Sequence, residues 1–335
     1  MRHFLEPQRW ARLQQRIHLK APPLRRISRT TFITAIIAAA LAGLGLAIFV
    51  RRSNTIKRDD SETVETPQGT VEYAILGKGA PVLVLHGAGG GFDQGLHMTA
   101  PLAEHGYRLI APSRFGYLRS LAVKEATAAS QAEAYAALLD RLGIKETVVL
   151  AISAGAWSAL HFALRYPQRC RALVLLVPAT NLPTGTKFYG WLMARTLFRS
   201  NLLGGLALRL AALYPRLGAA LMGTPVAPRS AEEKHRVRQI FRDGLPARAH
   251  AEGMKLDIAA AHARAGFPMR GIIAPVLTIS AADDGFLTAA RAKEIAGGVR
   301  DGRVIIFPTG GHLLVERQTD VVREVAAFLE KTAKG

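Results

Sequence analysis

From residue 69 onward, short and continuously apolar runs alternate with longer stretches of helical periodicity. The runs at 71–76, 82–85, 109–111, 148–152, 173–177, 276–279 and 304–307 predict strands. Several show no polar alternation, as strands covered on both faces should. Between them, 128–142, 154–166, 288–296 and 319–331 carry apolar residues at helical spacing. Such alternation predicts an α/β fold, a mostly parallel central sheet with helices on both faces. One interval breaks the rhythm. Residues 180–273 hold no convincing strand, are rich in Leu, Ala and Arg at helical spacing, and are too long for a loop. They predict a helical cap inserted into a core made of 67–179 and 274–335.

The N-terminal part has a different pattern. Residues 30–50 carry no charge, and as a helix they would match the ~30 Å hydrocarbon core of a bilayer. Before them, residues 1–29 hold Arg2, Arg9, Arg12, Arg16, Lys20, Arg25, Arg26 and Arg29 against Glu6 alone. The positive-inside rule then predicts a single-pass transmembrane helix over 30–50, with 1–29 a basic cytoplasmic segment and the rest of the chain extracytoplasmic. Residues 51–66 read as a polar linker. A cleaved signal peptide cut near Ala38, Ala39 and Ala40 would leave an apolar new terminus. A twin-arginine reading of Arg25 and Arg26 fits poorly with Ile27, Ser28 and Arg29, and a buried soluble helix fits poorly with a run apolar all round.

Charge supports the membrane over nucleic acid. The net charge of +19 comes from 44 Lys and Arg against 25 Asp and Glu. No helix-turn-helix, zinc-finger or aromatic-basic RNA motif accompanies it, and one cluster of arginines abuts the apolar run. No nucleic-acid partner is expected. Cys170 stands alone, so there is no intrachain disulfide and no cysteine zinc site. It precedes a core strand, a poor setting for a nucleophile. His161, His235, His250 and His262 lack metal-ligand spacing, so no metal or cofactor is expected.

The residues that carry chemistry follow strands. The strand at 148–152 runs straight into Ser153-Ala154-Gly155, and a helix begins at once. A turn that sharp exposes the serine hydroxyl only when its neighbours are small, as Ala151 and Gly155 are. The helix N-terminus points N–H groups at the same spot, making Ala154 one oxyanion donor. Upstream, His86-Gly87-Ala88-Gly89-Gly90-Gly91 follows another strand; its backbone can supply a second donor, Ala88 first and Gly89 next. The Walker ending and the dinucleotide fingerprint are both missing. His86, Gly87 and Gly89 read as support for the loop. After the last strand, Thr309-Gly310-Gly311-His312 can carry His312 back toward Ser153 as proton shuttle. An acid to orient that imidazole lies in Ala281-Ala282-Asp283-Asp284-Gly285; only one of the two carboxylates can point inward, leaving the other a solvated turn residue.

The order serine, acid, histidine, with the His-Gly loop upstream, resembles the α/β-hydrolase superfamily. APSRFGYLRS is similar too, where relatives often have aspartate in place of Ser113, as are RYPQRCRALVLL and GGHLLVERQTDVVREVAAFL. Ala151 stands where glycine is more usual. The resemblance covers 69–331 apart from the cap. It implies Asp284 as the acid, four positions before Thr288, where relatives often place a proline. A serine nucleophile departs from the dehalogenases and epoxide hydrolases of this fold, which use aspartate.

The expectation is a serine hydrolase acting on a lipophilic ester or related carbonyl compound through an acyl-enzyme. Carbon–carbon bond hydrolysis by the same triad and a non-catalytic membrane-tethered binding protein are the alternatives. In the cap, Trp191, Met193, Phe198, Tyr214 and Met222 are candidates to line a pocket, with Arg195, Arg199, Arg209 and Arg216 candidates for headgroup contacts.

Overall fold

A computed structural model describes residues 33–34, 36–38, 40–41, 43–45, 60–122, 125–181, 198–261 and 266–333. The chain divides into two compact units, Met1–Phe49 and Val50–Gly335. In the first, the described residues are helical and exposed. Among the described residues no helix is long and apolar enough to cross a membrane. Most of the 30–50 stretch, and all of 1–29, lies outside them.

The second unit is built on a nine-stranded sheet. Its strands are β1 (Glu62–Thr66), β2 (Gly69–Leu76), β3 (Ala80–Leu85), β4 (Tyr107–Pro112), β5 (Leu121–Ala122), β6 (Thr147–Ile152), β7 (Cys170–Leu176), β8 (Val276–Ala281) and β9 (Gly302–Phe307). They lie in the order β1-β2-β4-β3-β6-β7-β8-β9, with β5 on β2. From β4 to β9 every pairing is parallel, whereas β1, β2 and β5 pair antiparallel at one edge. Strand β1 stands inside the stretch read as a polar linker. Its sequence, ETVET, has one apolar residue and an exposed face, so it reads as linker until β2 supplies the ladder. Strand β5 was likewise not foreseen.

Alternate residues of the central strands feed two cores. Leu83, Leu85, Val149, Ala151, Leu173 and Leu175 face helices α2 (Ala128–Arg141) and α3 (Ala156–Arg165), joined by Ile295 of α8 (Thr288–Gly298). Val82, Val84, Val148, Leu150, Val174 and Leu277 face Phe92 of α1 (Phe92–Thr99) and Val321, Val325 and Phe328 of α9 (Gln318–Ala333). Helix α1 was not anticipated, because glycines precede and interrupt its short sequence.

Helices α4 (Leu203–Leu213), α5 (Pro215–Leu221), α6 (Ala231–Asp243) and α7 (Ala251–Ala261) lie between β7 and β8 in the chain. The first three form a small core of their own from Ala211, Ala212, Ala219, Val237, Ile240 and Phe241. Into it pack Leu313 and Val315, from the loop that bears His312.

The chain moves leftward from β3 to β4, then crosses back over β3 to β6. That makes the gap beyond the carboxyl ends of β3 and β6 a topological switch point, where open α/β sheets leave a crevice. The segments emerging there are His86–Gly91 and Ser153.

A polar pair ties α1 of the core to α6 of the insertion. His97 Nδ1 lies 2.9 Å from Asp243 Oδ2, and Gln239 Nε2 donates to Asp243 Oδ1 at 3.0 Å. The hydrogen bond to Asp243 raises the His97 pKa above its ordinary 6.5, against the opposing effect of burial. A raised folded-state pKa stabilises fully below the unfolded value and is lost as pH rises through the folded one. We predict that the His97 imidazole, followed by NMR, titrates above 6.5, and that Asp243→Asn brings its midpoint down. The melting temperature of wild type should then fall relative to that variant as pH rises through the folded midpoint. Identical His97 titrations in the two proteins would refute the pin.

Candidate active site

Ser153 follows the fully buried strand β6 and opens a 3₁₀ turn, Ser153–Gly155, that leads into α3. Its φ of +50° is left-handed, which costs a residue with a Cβ roughly 1–2 kcal/mol. The surroundings hold it there. A Cβ at Gly155 would stand 2.7 Å from Leu85 O and 2.8 Å from His86 O, so only glycine lets the elbow press against the end of β3. Ala151 is completely buried, consistent with the need for a small residue at that position.

The structure brings Ser153, His312 and Asp284 into one hydrogen-bonded line. Ser153 Oγ lies 2.9 Å from His312 Nε2, and His312 Nδ1 lies 2.9 Å from Asp284 Oδ2. With a carboxylate facing Nδ1, the proton sits there and Nε2 is left to accept from the serine. Asp284 is buried and also accepts from Phe286 N at 2.8 Å and from the Thr288 hydroxyl. Burial alone would raise its pKa, but the facing imidazole and these donors hold it below the ordinary carboxylate value. The Phe286 ring meets the imidazole edge-on, with centroids 4.7 Å apart.

Asp283 does not point into solvent as its place in the turn suggested. Its Oδ1 accepts from Gly311 N at 2.8 Å and its Oδ2 from Gly310 N at 3.3 Å. The neighbouring carboxylates therefore divide the work, Asp284 meeting the ring of His312 and Asp283 the backbone that delivers it. Gly311 is left-handed, at φ +59°, and packs against Thr224. Thr224 Oγ1 accepts from Leu313 N at 2.9 Å, and Gly223 O accepts from Gly285 N at 2.8 Å. Gly223 and Thr224 thus stitch the acid turn and the histidine loop to the insertion. Sequence reasoning missed both, since nothing local marks them.

On the other side of Ser153 lies the glycine loop. Gly87 N donates to Gln94 Oε1 at 3.0 Å and Gly89 N to Tyr117 Oη at 3.2 Å. The Ala88 N–H between them has no acceptor among the described residues. Ala154 stands in the first turn after β6, where N–H groups have no intrahelical partner. Both alanines line the same cavity as Ser153. His86 is buried, its Nδ1 2.7 Å from Gly87 O and its Nε2 accepting Arg114 N–H at 2.9 Å. Burial, and then the Arg114 charge, push its pKa well below 6.5, so the ring is a neutral strut.

Beneath that loop runs a buried ion pair. Arg114 Nη1 and Nη2 donate to the two oxygens of Asp257, on α7, at 2.5 and 2.6 Å. Nη2 also donates to Gly87 O at 3.2 Å, and Tyr117 donates to Asp257 Oδ2 at 2.5 Å. The insertion and the glycine loop are therefore joined through three buried side chains. Burial would lower the Arg114 pKa, but Asp257 overrides it and keeps the guanidinium charged.

The cavity has a volume of about 200 Å³. Among the described residues, Ser153, His312, Gln94 and Asp257 are its side-chain polar groups; the rest of the lining is apolar or glycine and includes Met98, Phe198, Leu208, Met222, Ile240, Phe241, Met254 and Ile258. Phe198 and Met222 therefore lie where the sequence placed them, whereas Tyr214 is exposed. Trp191, Met193, Arg195 and His262 lie outside the described residues. Among the described residues no cluster of three or more His, Cys, Asp or Glu could hold a metal ion. Burial pushes the Cys170 thiol up to about 12.

Removing one member of a buried pair strands the other's charge. Asp257→Asn should cost about 3 kcal/mol in urea unfolding, with hydrogen exchange of the Gly87 and Gly89 amides accelerated. Unchanged stability and unchanged exchange would mean that the pair does not hold the loop.

A family model for the alpha/beta hydrolase fold matches residues 80–317. Uncharacterized hydrolase YcgS of Bacillus subtilis is 30% identical over 261 residues, 76% of this chain and 92% of that protein. The 2-hydroxy-6-oxononadienedioate/2-hydroxy-6-oxononatrienedioate hydrolase of Paraburkholderia xenovorans is 27% identical over 288 residues, 82% of this chain and 91% of that protein. Among solved structures, an alpha/beta hydrolase fold protein from Nakamurella multipartita is 25% identical with a TM-score of 0.63, covering 82% of this chain and 100% of that one. The elbow at a switch point and the family match over most of the chain lead to one conclusion: this chain belongs to the alpha/beta hydrolase fold family and is a hydrolase.

Proposed function

We propose that the protein is a serine esterase for uncharged, lipophilic substrates. The observation that carries this reading is the unbroken Ser153–His312–Asp284 line opening into an apolar cavity. In this mechanism His312 Nε2 takes the Ser153 proton as Oγ attacks the carbonyl carbon. The N–H groups of Ala88 and Ala154 receive the developing oxyanion. Asp284 keeps the imidazole in the correct tautomer and stabilises its cation. His312 then protonates the departing alcohol, and water resolves the acyl-enzyme by the same steps.

Carbon–carbon bond hydrolysis is the second reading, favoured by the name of the Paraburkholderia relative. Its substrate is a dioate, which calls for cations in the site. Among the described residues lining this cavity none is cationic: the charged side chain there is Asp257, and Arg114 is spent on it. That balance favours a neutral ester.

The proposal includes attachment to a membrane by residues 30–50, with the N-terminus cytoplasmic and the hydrolase unit on the far side. It rests on the uncharged run and the eight basic residues before it. Protease digestion of sealed cells should then reach the hydrolase unit but not the first 29 residues; cleavage within the first 29 residues with the hydrolase unit protected would reverse the orientation, and protection of the whole chain would reject the extracytoplasmic placement.

A fluorophosphonate probe should label wild type and not Ser153→Ala. Turnover of p-nitrophenyl esters should fall by about a thousandfold or more in Ser153→Ala and Asp284→Asn, and longer acyl chains should be preferred. Equal labelling of wild type and Ser153→Ala would reject the nucleophile. Turnover of a ring-cleavage dienoate, with esters inert, would move the reading to carbon–carbon cleavage.

A further inference from the structure

Helices α4 and α5 wear their side chains inside out. Gly204, Gly205, Ala211 and Ala212 of α4 and Gly218 and Ala219 of α5 are the buried residues. All but one of their leucines face outward: Leu203 (59% exposed), Leu206 (40%), Leu210 (43%), Leu213 (63%), Leu217 (52%) and Leu221 (45%). Steps of three and four residues put Leu203, Leu206, Leu210 and Leu213 on one face of α4, and a step of four puts Leu217 and Leu221 on one face of α5, two consecutive helices in contact. Scattered exposed leucines need no explanation, but six on adjoining helices mark an interaction surface.

The charge around these leucines says what they meet. Residues 198–231 contain Arg199, Arg209, Arg216 and Arg229, and no Asp or Glu. Arg199, Arg216 and Arg229 are exposed. A second copy of this chain would set that cationic surface against itself. An anionic lipid leaflet instead offers hydrocarbon to the leucines and phosphates to the arginines, the combination that holds amphipathic helices in a membrane interface.

We propose that the α4–α5 face docks on the surface of an anionic bilayer, placing the hydrolase unit cap-down on the membrane. The same two elements turn Leu208 and, just past α5, Met222 into the cavity. A lipophilic substrate leaving the leaflet therefore meets the cavity wall on the far side of the helices that touch it. This surface is separate from residues 30–50, and its existence does not depend on the reaction catalysed.

The test uses the full chain carrying Leu213→Cys labelled with the environment-sensitive fluorophore NBD. Cys170 is buried with its thiol pushed up to about 12, so the label goes to the new cysteine. Lys293→Cys, on exposed α8 surface, is the control. On vesicles of phosphatidylcholine with phosphatidylglycerol, the label at 213 should brighten several-fold, shift to the blue and be quenched by lipid-borne spin labels. The label at 293 should stay aqueous even though residues 30–50 are present in both proteins. In Leu213→Glu/Leu217→Glu, turnover of an ester embedded in those vesicles should fall by about tenfold, with a soluble short-chain ester unaffected. An aqueous signal at 213 on anionic vesicles overturns the proposal, as does an equal shift at both positions. A shift at 213 that grows with protein concentration in the absence of lipid would assign the face to a second copy and likewise overturn it. Because fluorescence needs no turnover, an inactive enzyme would leave this result intact.

Discussion

Ser153 turns through left-handed backbone, at φ +50°, and the site depends on its being kept there. Left to itself a serine would relax by roughly 1–2 kcal/mol into an ordinary conformation. Three packings prevent that. Strand β6 is buried along its whole length and anchors the residue from behind. Gly155 lets the following turn press onto the end of β3, where any Cβ would collide with two carbonyl oxygens. Ser153 O, in turn, accepts from Ala179 N at 3.1 Å just past β7. The core of the sheet thus supplies the free energy that holds the hydroxyl out in the crevice.

The histidine has no such rigid mount, since it arrives on a loop. Its position is secured by polar contacts from three directions: Asp284 to the ring, Asp283 to the backbone of Gly310 and Gly311, and Gly223–Thr224 from the insertion. Leu313 and Val315 complete the attachment by packing into the core of α4–α6. The insertion is therefore more than a cover. A displacement of α5 would reach His312 through Thr224, so the position of these helices and the alignment of His312 with Ser153 are mechanically linked.

How much of this could be read from the chain depends on whether each feature is local. The buried strands were legible because a strand covered on both faces is apolar throughout. The elbow was legible because its steric demand falls on Ala151, Ser153 and Gly155, within a few positions. The choice of Asp284 over Asp283 needed the family resemblance, because both carboxylates have the same local sequence. The work done by Asp283 was hidden, since its partners are 27 and 28 residues away. Strand β1 was hidden because one valine among polar residues becomes a strand only when β2 offers a ladder. The Arg114–Asp257 pair, separated by 143 positions, left no trace that periodicity or spacing could reveal.

That pair also resolves an electrostatic difficulty in the cavity. Asp257 forms part of the wall of a largely apolar space in which the proposed reaction develops an oxyanion. An uncompensated carboxylate there would oppose the transition state, because charges interact strongly where water is excluded. Arg114 meets it with both terminal nitrogens, and Tyr117 adds a third donor. Both carboxylate oxygens of Asp257 are thereby engaged by donors of the neighbouring Arg114 and Tyr117. Its charge is balanced in place, and the same donors brace Gly87 and Gly89 on either side of the Ala88 N–H. A group that would repel the proposed reaction's developing charge is thus held in the pair that supports the glycine loop.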